Sequence, residues 1–202
     1  MQLPQDEKYT YADYLKWDDG KRYELIDGVP YMMSPAPSPR HQEISVEIIR
    51  QLANYLVGKT CGVFSAPFDV RLNADAQDDT VVQPDISVVC DRSKIDERGC
   101  KGAPDMVAEI LSPSSMRHDQ IVKFRKYQEA GVREYWLVNP DIRAVQVFLL
   151  ENGEYISRMY EGKDAVPVSV LEDCIVDLSS VFPQNETETE QSEGPAAREP
   201  QA

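Results

Sequence analysis

This chain of 202 residues predicts an α/β (α+β) domain, a mixed sheet flanked by helices. Three observations carry that expectation. Apolar runs with strand character are interspersed with amphipathic helical segments, as in a mixed sheet with helices packed on it. Asp27-Gly28 and Glu151-Asn152-Gly153 each sit between apolar runs, a strong hairpin signal. Two acids, Asp85 and Glu109, lie inside apolar runs that read as strands. A carboxylate there is costly unless it is paired, protonated or bound to a metal.

The elements follow in order. A short helix is expected from Thr10 to Trp17, with Thr10 as cap and Asp13 three residues on. Arg22–Ile26 and Val29–Met33 flank Asp27-Gly28 as a hairpin, and Met32 and Met33 read as core. Ser34-Pro35-Ala36-Pro37-Ser38-Pro39 stops regular structure. From His41 to Val57 the period is helical, with Ile44, Ile48, Ile49, Leu52, Tyr55 and Leu56 on one face. Strands are expected at Val63–Leu72, Val81–Cys90 and Asp105–Leu111, joined by polar loops at 73–80 and 91–103. Ser112-Pro113-Ser114-Ser115 offers a cap for a helix from Met116 to Ala130, which Gly131 ends. A strand at Glu134–Val138, a hairpin of Arg143–Leu150 with Glu154–Tyr160, and a closing segment at Ile175–Val181 complete the fold. Residues 1–183 are read as one domain, and 184–202, which hold only small, polar, acidic and proline residues, as a disordered acidic tail.

Composition excludes some functions. With 42% hydrophobic residues the chain can bury a core. It has no apolar run long enough to span a membrane, and residues 1–8 lack the features of a signal peptide, so the expectation is cytoplasmic with no membrane partner. Cys61, Cys90, Cys100 and Cys174 form no C-x-x-C pair, and neither His41 nor His118 is spaced as a zinc ligand. The cysteines therefore read as reduced thiols. The net charge is −14; the tail carries five acids and one arginine, leaving 30 acids and 20 bases over 183 residues, a net of −10. That disfavours a binder held to nucleic acid mainly by phosphate contacts, but not an enzyme whose metal offsets its acids.

The candidate chemistry centres on Asp85 and Glu109. Neighbouring strands lie about 4.8 Å apart and alternate side chains share a face, so the two acids can converge, with the backbone carbonyl of Ile110 nearby. Mg²⁺ prefers such hard oxygen ligands, and Mn²⁺ accepts them too. Asp119, Lys123 and Tyr127 share a helix face, and Lys123 could aim a point charge at a bound phosphate. The plainer reading is an exposed Asp119–Lys123 pair. Lys126, one turn on, is the fallback cation. Glu24 could join the site or pair across the hairpin with Arg22 or another base. His41 could touch substrate, although its apolar-face position favours packing against the hairpin. Gln83 points either into the site or away from it. Ser112, Ser114 and Ser115 read as caps, Tyr135 and Trp136 as core.

Several ordered motifs carry a resemblance: Arg22–Met33, Ser34-Pro35 with His41, Gln83-Pro84-Asp85, Glu109-Ile110-Leu111-Ser112-Pro113-Ser114-Ser115, then Asp119, Lys123, Tyr127 and Gly131-Val132-Arg133-Glu134-Tyr135-Trp136. Over residues 8–183 the chain resembles the Uma-type family of restriction-like endonucleases within the PD-(D/E)XK nuclease superfamily. The resemblance implies a restriction-endonuclease-like αβββαβ core with extra N- and C-terminal hairpins and Mg²⁺-dependent hydrolysis of phosphodiester bonds. By position, Asp85 and Glu109 are its acidic ligands, with Ile110 beside them. Leu111 stands where the superfamily motif has lysine, and Lys123 on the following helix is the replacement. Glu24 joins them as a catalytic candidate, with His41, Gln83 and Lys126 as substrate contacts. The partner implied is nucleic acid, DNA first, and restriction-like nucleases suggest a homodimer. Two other readings stand beside it: an inactive nucleic-acid-binding or regulatory module of the same fold, and a protein-interaction domain using the acidic tail.

Overall fold

The structure is a computed structural model that describes residues 7–33, 36–74, 76–113 and 115–183. Ser34-Pro35, Ser114 and the tail expected at 184–202 lie outside the described residues. Helix α1 (Tyr11–Tyr14) is one turn, shorter than expected. Thr10 donates its N–H (3.1 Å) and its hydroxyl (2.8 Å) to Asp13 Oδ2 at its start. Strands β1 (Tyr23–Ile26) and β2 (Val29–Met32) form the first hairpin. Its turn residues Asp27 and Gly28 both take positive φ, 50° and 78°, the conformation that suits a two-residue turn between twisted strands.

Helix α2 (Pro39–Leu56) begins two residues before the expected His41. Ser38 caps it by accepting from the His41 N–H at 3.2 Å, and Pro39 occupies the first helical position, where a missing N–H costs nothing. The two long strands expected next are each cut by a proline, which cannot donate to a ladder. Pro67 separates β3 (Gly62–Ser65) from β4 (Asp69–Arg71). Pro84 separates β5 (Val81–Val82) from β6 (Ile86–Val89). The expected polar loop at 91–103 holds a small hairpin, β7 (Ile95–Asp96) with β8 (Gly99–Lys101). Gly99 has φ +141°, and a Cβ there would overlap the Asp69 carbonyl oxygen, so only glycine lets β8 lie against β4.

Strand β9 (Met106–Ile110) is followed by a wide π-helical turn, His118–Lys123, that runs into α3 (Phe124–Ala130). Gly131, at φ +85°, ends α3. Then come β10 (Glu134–Asn139), β11 (Ala144–Glu151), β12 (Glu154–Glu161), β13 (Ala165–Pro167), β14 (Ile175–Asp177) and the turn α4 (Leu178–Val181). The closing segment at 175–181 is thus half strand and half helix, because Asp177 caps α4 by accepting from the Ser179 N–H at 2.9 Å.

The central sheet has the order β12-β11-β10-β9-β6-β3, and β9 and β10 run parallel across the helical crossover. With α2 ahead of β3, β6 and β9, and with α3 leading to β10, this is the αβββαβ order the resemblance implies. A second sheet, β2-β1-β5-β4-β8-β7, carries the N-terminal hairpin. On one face of the central sheet, Ile48 and Leu52 of α2 pack on Ile86, Ala108, Ile110 and Trp136. On the other, Tyr127 of α3 packs with Val107, Tyr135 and Leu137. Each fully buried aliphatic side chain contributes about 1.5–3 kcal/mol to holding these layers together.

Two further expectations are corrected. Cys61 and Cys90 are joined in a disulfide rather than reduced, because the antiparallel register of β3 on β6, Gly62 opposite Val89, brings them side by side. Cys100 and Cys174 are free and buried. Met32 is 64% exposed rather than core, since β2 is the edge of its sheet. Among the described residues no helix is long and apolar enough to cross a membrane.

Candidate active site

A cavity of about 790 Å³ opens where the two sheets meet, and Asp85, Glu109, Ile110, Glu24, His41, Gln83 and Lys123 all line it. Its position follows from Pro84. By ending β5 and delaying β6, Pro84 leaves Gln83-Pro84-Asp85 as the link between the sheets. The register of β6 on β9 pairs Ile86 with Ala108. Continuing it by one residue sets Asp85 opposite Glu109, where side chains of an antiparallel pair share a face.

Asp85 is held from two sides. Its Oδ2 accepts from the Ile110 N–H at 2.8 Å and lies 3.1 Å from His41 Nε2. The π-helical turn brings Lys123 inward, a distortion that often marks functional positions. Lys123 is buried, with Nζ 2.8 Å from Glu24 Oε1, 3.0 Å from Glu109 Oε1 and 3.4 Å from Asp119 Oδ1. The Asp119–Lys123 pair is therefore an interior one, not the exposed pair that sequence spacing also allowed. The Tyr127 hydroxyl donates to Glu109 Oε1 at 2.6 Å. Glu24 accepts the Gln83 N–H at 2.9 Å, so its partners are Lys123 and the backbone rather than Arg22.

The other sequence-derived candidates divide. The Gln83 carboxamide donates to Tyr14 and Asp69, each at 2.9 Å, and accepts from Arg22. Those bonds occupy it as a brace between the first helix and β4. Lys126 does not line the cavity; it pairs with Asp27 at 2.9 Å and Glu129 at 2.8 Å. Ser112 and Ser115 bond to each other, Oγ to Oγ at 3.0 Å, as a turn that starts the helix. Leu111 is buried against Tyr127 and Tyr135 on the face α3 covers. Glu109 therefore meets its ammonium from the helix.

Three groups come from structure rather than sequence. His118, weighed in the sequence only as a zinc ligand, lines the cavity with Nε2 3.3 Å from Glu24 Oε2. That approach is too poorly aligned for a hydrogen bond and leaves Nε2 buried without a partner. Tyr31, the cross-strand partner of Glu24, stands 4.9 Å from the His118 ring. Asp69 gathers Tyr11, Tyr14 and Gln83 behind the site. Partnerships between residues so far apart in the chain leave no periodic trace.

Charge is distributed unevenly here. Burial pushes the Glu109 carboxyl well above the usual carboxylate range, Lys123 opposes it, and neighbouring Asp119, Asp85 and Glu24 add to the rise. Asp119 is raised for the same reason. Burial would raise Glu24 too, but the Lys123 ammonium, the nearby His118 imidazole and hydrogen bonds from Lys123 and the Gln83 N–H override it and hold Glu24 at about 2. Burial would lower Lys123, yet Glu109, Glu24 and Asp119 raise it well above its ordinary value. One buried ammonium thus keeps one carboxylate fully ionised, and the acids beyond it are driven toward protonation. His41 is lifted above its ordinary value by Asp85 against the opposing effect of burial.

The donors available to a cation here are carboxylate oxygens. The lining holds five acids, Glu24, Asp85, Glu109, Asp119 and Asp141, against three permanent bases, Arg22, Arg40 and Lys123, which with neutral histidines is a net of −2. That is a formal count with every acid ionised; a cation placed among these carboxyls would favour their ionised forms. The hydrogen bonds to Asp85 fall on Oδ2, and Tyr127 and Lys123 bond Glu109 through Oε1. Among the described residues no group of three or more His, Cys, Asp or Glu side chains is arranged to hold a metal ion, so these two acids would need further oxygen ligands to do so.

Comparison with known proteins agrees with this architecture. Residues 11–179 match the family described as Uma2, putative restriction endonuclease. An uncharacterised protein of Synechocystis sp. is 28% identical over 168 residues, covering 81% of this chain and 86% of that one. The crystal structure of a putative nuclease belonging to DUF820 from Anabaena variabilis superposes with a TM-score of 0.69 at 23% identity. That superposition covers 86% of this chain and 97% of the other, and at such identity it speaks to the fold.

Proposed function

Since the chain belongs to the Uma2 family of restriction-endonuclease-like proteins, we propose that this cavity hydrolyses phosphodiester bonds in DNA with Mg²⁺ as cofactor and Mn²⁺ as a substitute. The observation that carries the reading is the crowding of Glu24, Glu109 and Asp119 around the single buried ammonium of Lys123, with Asp85 beside them, an acid excess that a divalent ion would relieve. Asp85, Glu109 and the backbone carbonyl of Ile110 are the ligands proposed for the ion. Bound there, it would supply charge neutralisation at the scissile phosphate and a more acidic water.

The chain's own residues do the positioning. Ile110 N–H and His41 fix the Asp85 carboxylate, and Tyr127 and Lys123 fix that of Glu109. Lys123 also adds a positive charge close to any phosphate that reaches the two acids, where a low-dielectric wall strengthens it. Glu24, ionised and clamped, keeps Lys123 aimed at Glu109. Leu111 in place of the motif lysine does not remove the cation from the site.

One observation favours a second reading, an inactive DNA-binding module: the three carboxylates around Lys123 match its three N–H donors. Cleavage of mixed DNA substrates in Mg²⁺, with thermal unfolding as a second readout, separates the two. The nuclease reading expects cleavage by the wild type and none by Asp85→Ala or Glu109→Ala. It also expects Mg²⁺ to stabilise the wild type by about 2.7 kcal/mol at a hundredfold excess over its dissociation constant. Asp85→Ala should lose that gain. Retained cleavage in both variants would remove these acids from the mechanism, and stabilisation without cleavage would favour the inactive module.

A further inference from the structure

We propose that Tyr31 is a stacking platform for a nucleobase at the mouth of the cavity, so that the site takes single-stranded or locally unpaired DNA in preference to an intact duplex. The identity of the ligand rests on the nuclease reading; the platform itself rests on geometry. Tyr31 lies directly across the hairpin from Glu24, on the same side of the strands, and lines the same cavity as Asp85 and Glu109. It is 40% exposed on the edge strand β2. Its ring lies 4.9 Å from the His118 imidazole at 45°, so it is in contact with a second ring and still 40% exposed. Met32, 64% exposed, continues the apolar rim. Tyr127, Tyr135 and Trp136, by contrast, are fully buried and unavailable to a base.

Electrostatics point the same way. Affinity for a duplex backbone comes from cations that neutralise successive phosphates. Of the three permanent cations lining this cavity, Lys123 is compensated by three carboxylates, which leaves Arg22 and Arg40, too few to track the successive phosphates of a duplex. Stacking gains affinity from the π-face of any base without needing a net positive surface. A base drawn out of its helix could stack on Tyr31 with its phosphate directed to the ion proposed between Asp85 and Glu109, whereas paired bases present no open face to Tyr31.

The test uses the full chain in Ca²⁺ and a short single-stranded oligonucleotide carrying 2-aminopurine, whose fluorescence is quenched on stacking. Quenching is expected with the wild type and Tyr31→Phe. It should be lost with Tyr31→Ala, together with about tenfold or more of the affinity. The same sequence as a duplex should bind more weakly, and Tyr31→Ala should leave that binding unchanged. An unaltered unfolding midpoint in Tyr31→Ala shows that the loss is not one of folding. The proposal is overturned if Tyr31→Ala binds and quenches as the wild type does, if the duplex binds at least as tightly as the single strand, or if no oligonucleotide binds. Cleavage assays in Mg²⁺ keep the two ideas apart. Wild-type cleavage that Tyr31→Ala leaves untouched sinks the platform alone, and quenching without any cleavage sinks the nuclease reading alone.

Discussion

Replacing Lys123 with methionine is the sharpest test of the interior charge cluster. The substitution keeps the length of the side chain and its burial but removes the ammonium lying 2.8 Å from Glu24, 3.0 Å from Glu109 and 3.4 Å from Asp119. Removing one member of a buried ion pair costs about 3–5 kcal/mol, because the other charge is left without compensation. Glu24 points the same way: burial alone would raise its carboxyl, yet Lys123 and its other donors hold it below the ordinary carboxylate range. A loss of about 3 kcal/mol is therefore expected for Lys123→Met in urea unfolding at pH 7 without divalent ions. The deficit should shrink at pH 5. Carboxyls whose folded-state pKa lies above the unfolded value favour the folded state when protonated, so their contribution is present at low pH and lost as pH rises. Glu109 and Asp119 are raised in this way even with the lysine in place. A deficit below about 1 kcal/mol at pH 7, or one that is the same at both pH values, would refute the claim that a shared ammonium holds these acids together.

Two further outcomes follow from the same cluster. Because Glu24 is lowered to about 2, its contribution to stability is present above pH 4.5 and is lost as the pH falls toward 2. Glu24→Gln should flatten that acid limb of the stability–pH curve, and an unchanged limb in urea titrations would place the effect elsewhere. Tyr127→Phe keeps the buried ring and removes the 2.6 Å hydrogen bond to Glu109. The loss should be about 1–3 kcal/mol in chemical denaturation, and a neutral result would mean that another donor takes over the Glu109 oxygen.

What could be read from the sequence was local. Asp27-Gly28, Asn152-Gly153 and Gly131 declare their positive-φ turns through residue type alone, and each turn forms where expected. Apolar runs at 63–72 and 81–90 announced extended chain but not its allegiance, since hydrophobicity does not say which sheet a strand joins. Pro67 and Pro84 were the available signals that each run breaks. The 91–103 loop hid a hairpin because two short polar strands carry little apolar pattern. The helical period placed Asp119, Lys123 and Tyr127 on one face. It could not reveal that this face turns inward, because the partner, Glu24, is distant in sequence. The Cys61–Cys90 bridge was invisible for the same reason: its pairing is a matter of strand register. Met32 failed differently, since an apolar residue on an edge strand has no neighbour to bury it.

The Gln83-Pro84-Asp85 link gives this architecture an evolutionary consequence. Asp85 and Glu109 answer to the central sheet, and Tyr31 and Met32 to the outer strand of the other. The two sets are joined by the Gln83-Pro84-Asp85 link, by a shared apolar core and by one lysine between Glu24 and Glu109. Natural variation in the Val29–Met32 strand can therefore recast what the mouth of the cavity admits without disturbing the carboxylates in its floor. The exposed positions of that strand are Tyr31 and Met32, so change at the rim can be confined to two side chains while the interior stays fixed.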